Sequence, residues 1–172
     1  AVGRLAHRLL QALPDLPAAE RAAAATRHMA VHGAKLEPDH QATLVRNVLA
    51  VLDDPEIQPL FGPGSRAEVG VAGRATLPDG RPIEIAGQID RIGVTEDAVL
   101  IADFKTGRPH AADTIPQSFV AQLALYRAAV APLYPGKPVR AYLVWTAGPT
   151  VMEIPGRRLD AALAELTAAP DD

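Results

Sequence analysis

The spacing of apolar residues changes about a third of the way along the chain. Leu5, Leu9, Leu10 and Leu13 recur at helical spacing, and Pro14-Asp15 closes that segment, which predicts a first helix. An alanine-rich second helix runs from Pro17 to about His32 and stops at Gly33. Pro38-Asp39 opens a third, with Leu44, Val45, Val48, Leu49 and Leu52 inward, ending near Asp53-Asp54-Pro55. After Phe61-Gly62-Pro63-Gly64 the period shortens to two. Residues 66–77 alternate, Pro78-Asp79-Gly80 makes a turn and residues 83–94 follow, which predicts an antiparallel hairpin. A third strand, Val99-Leu100-Ile101-Ala102-Asp103-Phe104-Lys105, begins after a turn at Thr95-Glu96-Asp97. Residues 118–134 return to helix, with Val120, Leu123, Leu125 and Val130 apolar. The unbroken apolar run 139–145 suits a strand covered on both faces. A last helix over 158–167 carries Leu159, Leu163 and Leu166 on one side.

This order predicts an α/β fold, a central mixed sheet of about four to five strands flanked by helices. Residues 1–60 form its helical N-terminal part and residues 61–172 its core, together one domain. The path from the Asp103 strand through a helix to the Trp145 strand is a natural right-handed crossover. Trp145 is expected to pack under the sheet.

Composition narrows the class. A chain of 172 residues, 48% apolar and 22% charged, can bury a sizeable core. No apolar run approaches the roughly 18 residues needed to cross a bilayer. The absence of cysteine excludes disulfides, thiolate zinc sites and iron–sulfur clusters, and suits a reducing compartment. Arg4, His7 and Arg8 interrupt the apolar stretch around Leu9-Leu10, so no signal peptide is read there. The start at Ala1 and the polar Ala-Pro-Asp-Asp ending lead us to expect a piece of a longer protein. A net charge of −3 argues against a free-standing nucleic-acid binder, but not against a catalytic module to which nucleic acid is delivered.

The chemistry concentrates in Gly87-Gln88-Ile89-Asp90-Arg91 and in Asp103-Phe104-Lys105-Thr106-Gly107. Asp103 and Lys105 lie two apart on a strand and project from one face, with Phe104 on the other. Asp90, on the neighbouring strand, supplies a second carboxylate. One or two carboxylates suit a hard cation such as Mg²⁺ that keeps water and substrate phosphate as its other ligands. A protonated lysine cannot ligate; it can hold an attacking water or neutralise charge on a phosphate. For an isolated Asp-x-Lys, an ordinary salt-bridged strand end is the commoner explanation.

The surroundings change that weighting. Gly87 ahead of Asp90, the apolar lead-in Leu100-Ile101, the Thr106-Gly107 ending, Gln122 with Tyr126 at i, i+4, and the opening Gly3-Arg4-Leu5-Ala6-His7-Arg8-Leu9-Leu10 together resemble the PD-(D/E)XK nucleases, specifically the RecB/AddA-type domain of bacterial helicase–nucleases. The resemblance implies a restriction-endonuclease-like core and a Mg²⁺- or Mn²⁺-dependent deoxyribonuclease of exonuclease type. It further implies Asp90, Asp103 and Lys105 as catalytic residues, and His7, Asp90, Asp103 and the Phe104 carbonyl as metal ligands. Glu68 is a further candidate ligand, with an ordinary exposed strand carboxylate as the competing explanation. Gln122 and Tyr126 would face DNA or steady Lys105. Implied partners are DNA, delivered as a single strand by an ATP-driven helicase, and a partner helicase–nuclease subunit. The setting would be double-strand break repair in the bacterial cytoplasm, at the nucleoid. Related enzymes that carry a four-cysteine iron–sulfur staple are not matched by a chain without cysteine.

Two other readings stay open: a catalytically inactive nuclease fold that guides DNA or mediates subunit contact, and a phosphohydrolase of small nucleotides, which an enclosed pocket would favour. His28, His32, His40 and His110 show no metal-ligand spacing, and Lys105-Thr106 lacks the glycines of a phosphate-binding P-loop. Arg74, Arg91 and Arg108 are candidate phosphate contacts.

Overall fold

The computed structural model describes residues 2–168. Its helical opening consists of α1 (Val2–Ala12), α2 (Ala18–His32) and α3 (Pro38–Leu52). Pro38 stands at the start of α3, where the missing N–H costs no helical hydrogen bond. Leu5, Ala6, Leu9 and Leu10 make one buried stripe along α1, and Leu44, Val48, Val51 and Leu52 make another along α3. A 3₁₀ segment over Pro55–Leu60 then leads to the sheet.

The sheet has five strands in chain order: β1 (Arg66–Thr76), β2 (Pro82–Val94), β3 (Val99–Lys105), β4 (Val139–Trp145) and β5 (Thr150–Ile154). β3 and β4 pair in parallel and every other pair is antiparallel. Helix α4 (Gln117–Val130) makes the crossover between the parallel strands, and α5 (Gly156–Ala168) follows β5. The β1–β2 turn depends on Gly80, whose φ of +85° a side chain would resist, and on the Asp79 carboxylate, which accepts from the Arg81 N–H.

Strand alternation divides the core in two. Leu100, Ala102, Phe104, Tyr142 and Val144 pack toward α1–α3. Val99, Ile101, Leu143 and Trp145 pack toward α4 and α5. Four elements of the expected sheet and all the expected helices are present. The expected 118–134 helix ends sooner, at Val130, because Pro132 turns the chain into a 3₁₀ segment. β5 is an edge strand of five residues, too short and too evenly half-buried to alternate clearly.

Candidate active site

The site forms at the C-terminal end of β3, the side of an open α/β sheet on which ligands ordinarily bind. Asp103 and Lys105 extend the Val99–Ile101 row and lie on the α4 side. The Lys105 ammonium is 2.5 Å from Asp103 Oδ2, and both side chains are largely buried. Among the described residues no hydrogen bond of ordinary geometry reaches that oxygen, so the ammonium is its counter-charge. On the other side of Lys105 lies the Phe119 ring, with Nζ 3.9 Å from its centroid. Phe119 in turn meets His110 edge-on at 6.3 Å, and His110 leans on Trp145.

Asp90 enters through a break in the sheet. The β1–β2 register sets Glu68 opposite Asp90, with Ala67↔Arg91 and Val69↔Ile89 pairing on either side. β2–β3 pairing stops at Arg91↔Ala102, one step before Asp90 would meet Asp103. Glu68 has φ +49°, the only non-glycine residue with positive φ among those described. That conformation costs about 1–2 kcal/mol for an ordinary side chain. The break shifts the alternation of β2: Ile89 and Ile92, an odd number apart, both pack into the α4-side core. The Asp90 carboxylate then takes a ladder position itself, its Oδ2 accepting the Phe104 N–H at 2.7 Å. Burial pushes the Asp90 carboxyl up to about 6; the Phe104 N–H opposes that rise, and the neighbouring Asp103 carboxylate, within hydrogen-bonding reach, adds to it.

His7 arrives from the opposite layer. Its Nε2 is 3.3 Å from the Phe104 carbonyl oxygen, its Nδ1 is 3.9 Å from Asp90 Oδ1, and its ring meets Phe104 edge-on at 5.6 Å. Gly3 permits this approach: a Cβ there would lie 2.7 Å from Thr106 Cγ2, so any larger residue would push α1 away from the end of β3.

Five of the residues singled out from sequence therefore meet: His7, Asp90, Asp103, Phe104 through its carbonyl, and Lys105. Glu68 is exposed and shares a hollow of about 530 Å³ with His7, Arg8 and Thr106. Gln122 donates to the Tyr126 hydroxyl at 3.3 Å. Tyr126 packs on Gly87, where a Cβ would fall 2.5 Å from its hydroxyl, so the glycine ahead of Asp90 seats the tyrosine. Arg91 proves structural: it is buried, donates to the Leu60 carbonyl and Ser65 hydroxyl, and lies over Phe61, so it is no candidate for phosphate. Arg74 pairs with Glu84 near the hairpin turn.

Sequence reasoning missed Phe119. The available signal was its position three residues before Gln122, on the same face of α4. A Phe119→Leu variant keeps an apolar side chain but loses the ring face. With a cation–π contact worth about 0.5–2 kcal/mol, its kcat is expected to fall several-fold to about 30-fold with little change in KM, read from steady-state cleavage kinetics.

A five-stranded mixed sheet with one parallel crossover, an N-terminal helix folded onto its end, and an Asp–Asp–Lys cluster at that end define the class. The chain belongs to the PD-(D/E)XK nuclease superfamily, which it matches over residues 1–169. Among solved structures it is similar to the crystal structure of SSO0001, at 15% identity and a TM-score of 0.38, over 95% of this chain and 73% of that one. No curated protein matches it.

Proposed function

We propose that this chain is a Mg²⁺- or Mn²⁺-dependent deoxyribonuclease that degrades DNA from its ends, as the nuclease domain of an AddA-type helicase–nuclease. The observation that carries the reading is the approach of His7 to both Asp90 and the Phe104 carbonyl across a large sequence separation. An imidazole nitrogen, two carboxylates and a backbone carbonyl are a donor set that suits Mg²⁺ or Mn²⁺. The fit is supported by charge: burial, with the neighbouring Asp103 carboxylate adding to it, raises the proton affinity of Asp90, whose charge a cation would compensate. Among the described residues no group of three His, Asp or Glu side chains stands at metal-holding geometry, so His7, Asp90 and Asp103 would draw closer on binding Mg²⁺, which takes water and phosphate oxygens as its other ligands.

The cation, when bound by His7, Asp90, Asp103 and the Phe104 carbonyl, supplies Lewis-acid polarisation of the phosphate and a more acidic water. The protein's own contribution centres on Lys105. Asp103 and the Phe119 ring hold its ammonium from two sides, leaving N–H donors to orient the attacking water and to meet charge building on the scissile phosphate. The Phe104 N–H keeps Asp90 oriented. The hollow that His7 shares with Glu68 and Thr106 is open to solvent rather than enclosed, which favours a polymer over a small nucleotide. The lack of cysteine and the His7-bearing first helix support the helicase-linked branch, with a partner subunit and a role in double-strand break repair.

The reading is tested with linear and closed circular single-stranded DNA. Linear DNA is expected to shorten in Mg²⁺ or Mn²⁺ and to survive in EDTA, while the circle persists. Equal cutting of the circle would rule out end-dependent action, and cleavage undiminished by EDTA would rule out the metal.

A further inference from the structure

Helix α1 is amphipathic in an unusual way. Its inner stripe, Leu5, Leu9 and Leu10, is buried, while Arg4, His7, Arg8 and Gln11 line the hollow beside Thr106. Arg4 and Arg8, four apart and therefore neighbours on the helix surface, also line a second hollow of about 270 Å³ with His32 and Lys35. The two hollows share these arginines and so adjoin, one ending at His7 and the other at Lys35. Among the described residues no aspartate or glutamate lines the second hollow. Among the described residues no carboxylate pairs with Arg4, Arg8 or Lys35. The rings of His28 and His32 meet at a tilt beside them, centroids 4.4 Å apart, and among the described residues the buried His28 Nε2 has no hydrogen-bond partner. Glu68 faces the first hollow but forms no ion pair with either arginine, and like charges gathered in the second hollow without a counter-ion suit an anionic ligand.

We infer that Arg4, Arg8 and Lys35 form a phosphate track, which carries the backbone of single-stranded DNA between the active site and the far side of α1. The inference deepens the nuclease reading and rests on it. No Phe, Tyr or Trp lines either hollow, so recognition falls on phosphates rather than on stacked bases, and it is independent of sequence. Two adjoining hollows, with Arg4 and Arg8 on one face of α1 and Lys35 on the turn after α2, suit one backbone rather than the two of a duplex. The track also reconciles a net charge of −3 with a nucleic-acid substrate, because the positive charge is local.

The test is fluorescence anisotropy of a labelled oligothymidylate with the whole chain in EDTA, so that binding is read without cleavage. For the Arg4→Gln/Arg8→Gln/Lys35→Gln protein, affinity at low salt is expected to fall at least about 10-fold. The slope of log K against log salt should lessen by about 2, since each phosphate contact on a single strand contributes about 0.7. The Arg4→Lys/Arg8→Lys/Lys35→Arg protein should keep the wild-type slope, and unchanged circular-dichroism melting shows that both variants fold. An unaltered slope in the glutamine variant overturns the track, and so does an equal loss from Arg74→Gln near the hairpin turn. If wild type cleaves DNA while the glutamine variant binds as well as wild type, the track alone is lost. If wild type binds and loses that binding in the variant yet never cleaves, the track stands and the catalytic reading falls.

Discussion

An Asp103→Asn variant is expected to cleave DNA at least about 10³-fold more slowly than wild type, with unchanged circular dichroism. Three effects act together in that one substitution. The proposed cation loses a charged ligand, Lys105 loses the carboxylate that holds its ammonium at 2.5 Å, and Asp90 loses the neighbouring negative charge. Removing a single electrostatic stabiliser of a transition state typically costs about 10²–10³ in rate. Residues that act as a unit lose most of their effect together, so Lys105→Ala in the Asp103→Asn background should add little. Single-turnover cleavage of labelled linear DNA at saturating Mn²⁺ measures both. Retention of even a tenth of the wild-type rate by Asp103→Asn would remove Asp103 from the chemistry.

How much of this was legible beforehand depends on which physical signal each residue leaves in the sequence. The helices of the first third and the β1–β2 hairpin announce themselves through period and punctuation: Pro38 at a helix start, Gly33 at a helix end, Gly80 in the turn. Asp103 and Lys105 stand out because charge interrupts an apolar strand. Other features leave no local mark. Glu68 looks like any alternating strand residue, and its positive φ arises only where β1 meets the irregularity at Asp90. Arg91 reads as a surface cation, yet the Leu60 carbonyl and Ser65, far from it in sequence, enclose it. Phe119 gains its position under Lys105 only when α4 crosses behind β3. A net charge of −3 conceals Arg4, Arg8 and Lys35, because a sum over the chain is blind to where one helix and a turn place their cations.

The opposite substitution pattern is expected at Asp90, where activity and stability should part. In the cation-free protein its carboxyl is raised from 3.8 to about 6, chiefly by burial. A folded state that holds the proton more tightly than the unfolded chain is stabilised by it below pH ~4. That contribution is lost as pH rises through about 6, above which the fold carries a buried, poorly compensated charge. The span from 3.8 to about 6 corresponds to roughly 3 kcal/mol at ~1.4 kcal/mol per tenfold change in proton affinity, an upper bound for a partly solvated pair. In an Asp90→Asn variant the side-chain amide would keep the Phe104 N–H bond through its oxygen, offer an N–H to Asp103, and carry no charge. In EDTA at pH 7.5 the Asp90→Asn protein should therefore melt several degrees above wild type, at about 2–4 °C per kcal/mol for a chain of this size. The two curves should converge toward pH 4, where wild type is protonated. Adding Mn²⁺ should raise the wild-type melting temperature by mass action and leave Asp90→Asn nearly unmoved. DNA cleavage by that more stable protein should be lost, and differential scanning calorimetry across pH, with and without Mn²⁺, reads the whole pattern. A wild-type protein whose stability relative to Asp90→Asn did not change between pH 4 and 7.5 would show that Asp90 is not the buried, crowded carboxyl described above.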